Sequence, residues 1–235
     1  MIVIFAGPSI YGLDKTATAF ADLRAPARCG DVLKAVRDGA QTIGLIDGVF
    51  ESLPSVWHKE ILFALAAGVR VLGAASLGAL RAAECHSFGM EGVGTIFQQY
   101  RSGARTSDAD VAVVHAPAEL GYKPLTEALA DVEETAARLS ARHCLSDRER
   151  DAIETAARHL HFKERTWGAI LNAAHIGQSR QSSIRDALAQ FGVSQKQLDA
   201  KALLVAAAQT PWTRAPAIEF ELSRTAFLDT LAKQP

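Results

Sequence analysis

Short apolar runs rich in β-branched residues recur along the first half of the chain: Ile2-Val3-Ile4-Phe5, Thr42-Ile43-Gly44-Leu45-Ile46, Val69-Arg70-Val71-Leu72 and Val111-Ala112-Val113-Val114. Between them lie stretches with helical apolar spacing, Asp31 to Asp38, Pro54 to Ala67 and Leu77 to Cys85, each closed by a glycine, Gly39, Gly68 or Gly89. Runs of this length bounded by turn residues read as buried strands, and the periodic stretches as helices with a glycine stop. The alternation predicts an α/β fold, a mainly parallel sheet with flanking helices. From about Pro124 the β-branched runs cease, and Leu, Ala, Glu, Arg and Gln dominate Leu125 to His143, Ser146 to His175 and Ser183 to Gln209. A helical C-terminal region is expected there, with turns at Gly177 to Ser182 and from Thr210-Pro211-Trp212 to Ala215-Pro216. The expected domain division is 1–122 for the α/β core and 123–235 for a helical region packed on or appended to it.

Ligands of open parallel sheets bind beyond the carboxyl ends of the strands. The residues immediately after the four runs are Ser9 in Ala6-Gly7-Pro8-Ser9, Asp47 before Gly48, Ser76 in Gly73-Ala74-Ala75-Ser76, and His115, four groups expected at one rim. Ser76 has the most telling context. Ala74 and Gly78 leave the space that a serine on a tight strand-to-helix turn needs, so Ala74-Ala75-Ser76-Leu77-Gly78 is a relaxed Gly-x-Ser-x-Gly. The start of the next helix offers N–H groups for an oxyanion. The competing reading makes Ser76 a helix N-cap and the small residues a means of close packing.

A serine nucleophile needs a base, and no histidine is spaced for it. Lys59 shares a helix face with Leu62, Phe63 and Ala66; desolvation there would lower its pKa and supply a neutral amine, whereas snorkelling would leave it an ordinary surface cation. Ser9 is an alternative nucleophile, an oxyanion donor or a turn residue. Asp47 and His115 are candidates to orient the base or a bound carbonyl, and Arg81 with Glu84 is an i,i+3 pair more typical of a helix surface.

Composition narrows the classes. A net charge of −1 gives no field to attract nucleic acid, and no apolar run reaches membrane-spanning length, so neither nucleic acid nor membrane is an expected partner. The start Met1-Ile2-Val3-Ile4-Phe5 has no basic flank, which predicts an unprocessed, soluble protein. Three dispersed cysteines, Cys29, Cys85 and Cys144, fit a reducing cytoplasm; Cys85 reads as a small buried apolar residue. His159 and His161 have poor metal geometry, and neither Gly-x-x-x-x-Gly-Lys-Ser/Thr nor Gly-x-Gly-x-x-Gly is present, so no metal and no nucleotide cofactor is expected. Trp167, Trp212 and Tyr122 are candidate anchors for a partner, or core.

The motifs together resemble the TfuA-like family: Gly7-Pro8-Ser9, Ile46-Asp47-Gly48-Val49-Phe50-Glu51, Pro54-Ser55-Val56-Trp57-His58-Lys59-Glu60-Ile61-Leu62, Gly73 through Glu84, Gly89 through Gly94, Ile96-Phe97-Gln98-Gln99-Tyr100 and Asp110 through His115. The resemblance covers roughly the first half of the chain; Leu77 stands where the family pattern suggests Met. It implies an accessory protein for a YcaO enzyme, which uses ATP and Mg to activate a peptide backbone amide for exchange of oxygen by sulfur. It also implies hydrolysis of the C-terminal thiocarboxylate of a ubiquitin-like (ThiS-like) sulfur carrier, feeding sulfide to YcaO acting on a precursor peptide. On matching motifs the Ser-Lys pair of that activity falls on Ser76 and Lys59, with Ser9 in reserve and Asp47, His58, Arg81, Glu84 and His115 in support. The alternatives are a non-catalytic adaptor that docks on YcaO and promotes peptide binding, and a plain phosphate- or small-molecule-binding α/β protein. The chain ends Ala232-Lys233-Gln234-Pro235 without a diglycine tail, so the sulfur source is expected to be separate.

Overall fold

In the computed structural model, residues 1–51, 53–209, 222, 225 and 230 are described. Five strands form one sheet: β1 (Ile2–Phe5), β2 (Asp22–Arg24), β3 (Thr42–Leu45), β4 (Arg70–Ala74) and β5 (Glu91–Val93), in the order β2-β1-β3-β4-β5. Every pairing is parallel, as the α/β alternation predicts. Helices α1 (Asp31–Arg37), α2 (His58–Ala66), α3 (Leu77–Cys85) and α4 (Thr95–Ser102) belong to the crossovers and the segment after β5. The second half supplies α5 (Leu129–Ala141), α6 (Asp147–His159), α7 (Trp167–Ala173), α8 (Gln178–Phe191) and α9 (Gln195–Gln209).

The chain forms two compact units, one of Met1–Thr106 with Gln197–Pro235, the other of Ser107–Lys196. The helical unit begins at Ser107, sixteen residues before the expected boundary at 123, and most of α9 belongs to the sheet unit.

In the sheet unit, alternate strand residues face opposite ways, as the pleat requires. Ile4, Ile46, Leu72 and Ala74 pack with Ala200, Leu203, Leu204 and Ala207 of α9. On the other face α3 approaches closely: a Cβ on Gly78 would overlap the Leu45 carbonyl oxygen, and one on Gly73 the Gly78 carbonyl oxygen. Asp199 of α9, 3% exposed, accepts from the Thr95 and Ile96 N–H groups at 3.0 and 2.8 Å and so caps α4 from a distant part of the chain. Gly94 (φ +93°) permits this, since a side chain there would overlap that carboxylate.

In the helical unit, Leu129, Val132, Leu139, Ile153, Ile170 and Ile184 form the centre of a separate core. Asp131 accepts from the Ser194 hydroxyl at 2.9 Å and the Lys196 N–H at 2.9 Å, capping the start of α9.

Three expectations are corrected. Val111–Val114 is not a strand of the sheet: Leu125 N–H donates to the Val114 carbonyl (2.8 Å), Val114 N–H to Thr126 Oγ1 (2.8 Å) and Ala116 N–H to the Lys123 carbonyl (2.8 Å), so the returning segment satisfies its backbone locally. Gly177 to Ser182 is the beginning of α8, held by Arg180 donating to Glu149 and to the Cys144 carbonyl, both at 2.6 Å. The helix expected from Pro54 starts at His58, because Glu60 folds back to accept from the Trp57 N–H at 3.1 Å. The predicted turn from Thr210 to Pro216, and Trp212 within it, lies outside the described residues.

Candidate functional site

The strand order reverses between β1 and β3, and a parallel sheet has its natural crevice at that point. Here it is bridged from within. The Asp47 carboxylate, just beyond β3 and 1% exposed, accepts from Gly7 N–H (2.8 Å), Ser9 N–H (3.0 Å) and Ser9 Oγ (2.6 Å). Ser9 lies in a short 3-10 turn, Pro8–Ile10, and is itself 2% exposed. Asp47 and Ser9 meet as the rim reading expects, with the serine hydroxyl held as a donor to a buried anion.

One strand further on, β4 runs into α3 through a strained corner. Ala75 has φ +67°, the left-handed region where a β-carbon is costly, and Ser76 N–H donates to the Ala74 carbonyl across it at 2.8 Å, closing a γ-turn. Ser76, 9% exposed, occupies the N-cap position of α3; its carbonyl accepts from Ala79 and Leu80, yet its side chain makes no capping bond. The helix-start donors are partly committed, Ser76 N–H to Ala74 and Gly78 N–H to the Ile46 carbonyl at 3.2 Å. Gly78 is small for a packing reason, its approach to Leu45.

Lys59 stands in the first turn of α2, half-buried, its Nζ 5.7 Å from the centre of the Trp57 ring. The stripe it heads is not the core face: Ala66 is exposed, while Glu60, Ile61 and Ala64 point inward. Glu60 takes the inward place because its carboxylate bonds both Trp57 N–H and Gly30 N–H (2.7 Å), tying the starts of α2 and α1 together; burial nevertheless pushes its pKa up. Beside Lys59, His58 Nε2 lies 2.8 Å from Glu84, which also accepts from Arg81 at 2.6 Å, while Arg81 Nε donates to the Val56 carbonyl at 2.9 Å. Burial raises the Glu84 carboxyl, but the bonds from His58 and Arg81 outweigh it and hold the pKa below the usual value. These three residues fasten the entrance of α2 to α3.

His115 belongs to the helical unit and follows no strand of the sheet in sequence; its Nδ1 is 2.8 Å from the Ala116 carbonyl and its ring meets Tyr122 edge-on. Trp167 packs against that unit's core. Cys85 is buried, and burial pushes its thiol up to about 11, so it is inert at neutral pH, in keeping with the apolar reading. Among the described residues no group of three or more His, Cys, Asp and Glu could hold a metal, and no helix is long and apolar enough to cross a membrane. Glu60 and Asp199 escaped the sequence reading; the Glu60 position three residues after Trp57 was the available signal for the first, and nothing local signals the second.

A buried polar hub at the switch point and a strained strand-to-helix corner whose N-cap serine makes no side-chain capping bond mark this as an α/β protein with its polar groups at the strand ends. The TfuA-like protein family matches residues 47–166, just over half the chain, and the chain belongs to that family. The match takes in Asp47, His58, Lys59, Ser76, Arg81, Glu84 and His115, leaves out Ser9, and runs on through α5 and α6, further than the motifs of the first half. No curated protein matches the chain. Membership suggests an accessory role in thioamidation.

Proposed function

We propose that this protein serves a YcaO enzyme in peptide backbone thioamidation by hydrolysing a thiocarboxylated, ubiquitin-like sulfur carrier, and that it also assists peptide binding by YcaO. The observation that carries the proposal is Ser76: a hydroxyl at a helix N-terminus, after a left-handed alanine, that does not cap its helix. In the proposed reaction Ser76 Oγ attacks the thiocarboxylate carbon while neutral Lys59 takes its proton. The C–S bond breaks as the Lys59 ammonium returns that proton to the departing sulfur; hydrosulfide leaves with the bonding pair, the amine is neutral again, and the carrier remains as a Ser76 ester. Water, deprotonated by the same amine, cleaves the ester to carrier carboxylate and free serine. The α3 N-terminus favours negative charge at the tetrahedral step. The protein needs no cofactor of its own in this scheme; ATP and Mg act at YcaO.

Lys59 is half-buried on α2, so the chemistry requires its head to be desolvated by the bound carrier tail. One observation favours the adaptor reading instead: two N–H groups at the helix start are already bonded, which leaves a weaker oxyanion site. The test is to incubate the protein with a thiocarboxylated carrier and follow carrier mass. Conversion to carboxylate that Ser76→Ala and Lys59→Ala each lose while remaining folded supports hydrolysis. Unchanged conversion in both rejects it, and absent conversion with thioamidation by YcaO still stimulated leaves the adaptor role.

A further inference from the structure

The helical unit contains a cleft of about 370 Å³, outside the site described above. Its polar lining includes Glu127, which precedes α5, and Asp131 and Thr135 one turn apart on α5, and its apolar lining includes Trp167, Leu188 and Val193. Two of the three polar groups are committed to the link between α8 and α9. Asp131 accepts from Ser194 and Lys196, and Thr135 Oγ1 donates to the Val193 carbonyl (2.7 Å) while accepting from its N–H (3.2 Å). Glu127 is different: its backbone N–H donates to the Arg165 carbonyl at 2.7 Å, but its carboxyl has no hydrogen-bond partner among the described residues.

We propose that this cleft binds an organic cation, an ammonium or guanidinium on a short apolar stem, with Glu127 as its counter-ion and the Trp167 ring against the stem. Glu127 is half-buried beside a cleft lined by polar and apolar residues alike, and a cation supplies its carboxylate with the pairing that no described residue supplies. The recess volume suits a side chain of that kind, and aromatic walls favour cations over neutral isosteres. The neighbouring charges do not substitute for it: Asp131 repels a second anion, the Lys196 ammonium donates to the Val111 carbonyl at 2.7 Å, and Arg165 donates to the carbonyls of Ala157 (2.9 Å) and Leu160 (3.2 Å). Burial, with Asp131 beside it, pushes Glu127 up to about 7, so a bound cation would expel its proton in acid solution.

The experiment is calorimetric titration of the full chain with butylamine, butylguanidine and butanol, and with short peptides carrying a single lysine or arginine. The cations are expected to bind at least about ten-fold more tightly than butanol, with affinity falling about ten-fold per pH unit below 7. Glu127→Gln should abolish the preference over butanol, and Ala189→Trp, at the exposed edge of the cleft, should block all ligands while circular dichroism stays unchanged. Binding by peptides beyond the free amines assigns the cleft to a protein partner's basic side chain; equal binding assigns it to small amines. Butanol binding as well as the cations, cation binding indifferent to both substitutions, or no binding by any probe would overturn the proposal.

Discussion

Removing the Asp47 carboxylate tests whether the switch-point crevice is a scaffold. Asp47→Ala leaves two backbone N–H groups and the Ser9 hydroxyl without their acceptor at a place with 1% exposure. Each orphaned buried donor costs about 1–3 kcal/mol, and the hydroxyl can turn elsewhere, so a loss of about 3–5 kcal/mol is expected. Asp47→Asn keeps one oxygen for the two N–H groups and offers an NH2 to the Ser9 oxygen, which accepts; the loss should be about 1–2 kcal/mol. Ser9→Ala removes one hydrogen bond and should cost about 1 kcal/mol. Two compact units make a single unfolding midpoint ambiguous, so the assay is native-state hydrogen exchange of the β1 and β3 amides, which reads the sheet unit alone. Equal losses for Ala and Asn, or an Asp47→Ala loss under about 1 kcal/mol, would refute the hub. On the same reasoning Ser9→Ala keeps its thiocarboxylate hydrolysis.

Gly78→Ala drives a Cβ into the Leu45 carbonyl and must push α3 from the sheet; a loss of about 3 kcal/mol or more in sheet-unit exchange is expected, with hydrolysis reduced because Ser76 moves with the helix. Asp199→Ala strips the cap from α4, and the Thr95 and Ile96 amides should lose protection with a cost of about 1–2 kcal/mol. Glu127 has a folded pKa of about 7 against an ordinary 4.5, so between those values the folded state holds a proton that the unfolded chain releases. Its contribution is therefore complete below 4.5 and lost as pH rises through 7, by at most about 3 kcal/mol. Glu127→Gln should flatten that fall in a urea titration of the helical unit across pH 4 to 8, and a wild-type profile that rises over this range would contradict it.

The sheet's centre was legible because β1, β3 and β4 are apolar runs between turn residues, and α3 was legible to its last residue because Gly73, Gly78 and Ala82 mark close helix-to-strand contact. The edges were not. β5 is Glu91-Gly92-Val93, unremarkable in propensity, and exists through its register against Leu72–Ala74, the Arg70–Glu91 ion pair at 2.7 Å and the Phe97 ring lying over Gly92. Val111–Val114 has the better strand composition, yet its hydrogen bonds go to the segment at 123–126. At the site, the positions of Ser9, Asp47 and Ser76 could be read from the ends of the runs, whereas the three bonds to Asp47 and the left-handed Ala75 depend on backbone geometry that no local pattern encodes. The outward turn of Lys59 comes from Glu60, whose two N–H partners decide which face of α2 is buried.

The most direct measurement is to quench the reaction with thiocarboxylated carrier during turnover and map the covalent product by peptide mass spectrometry. An acyl ester on the peptide containing Ser76, absent from Ser76→Ala and formed slowly in Lys59→Ala, is the predicted result. An ester on Ser9, or carrier conversion that continues undiminished in Ser76→Ala, would contradict the account.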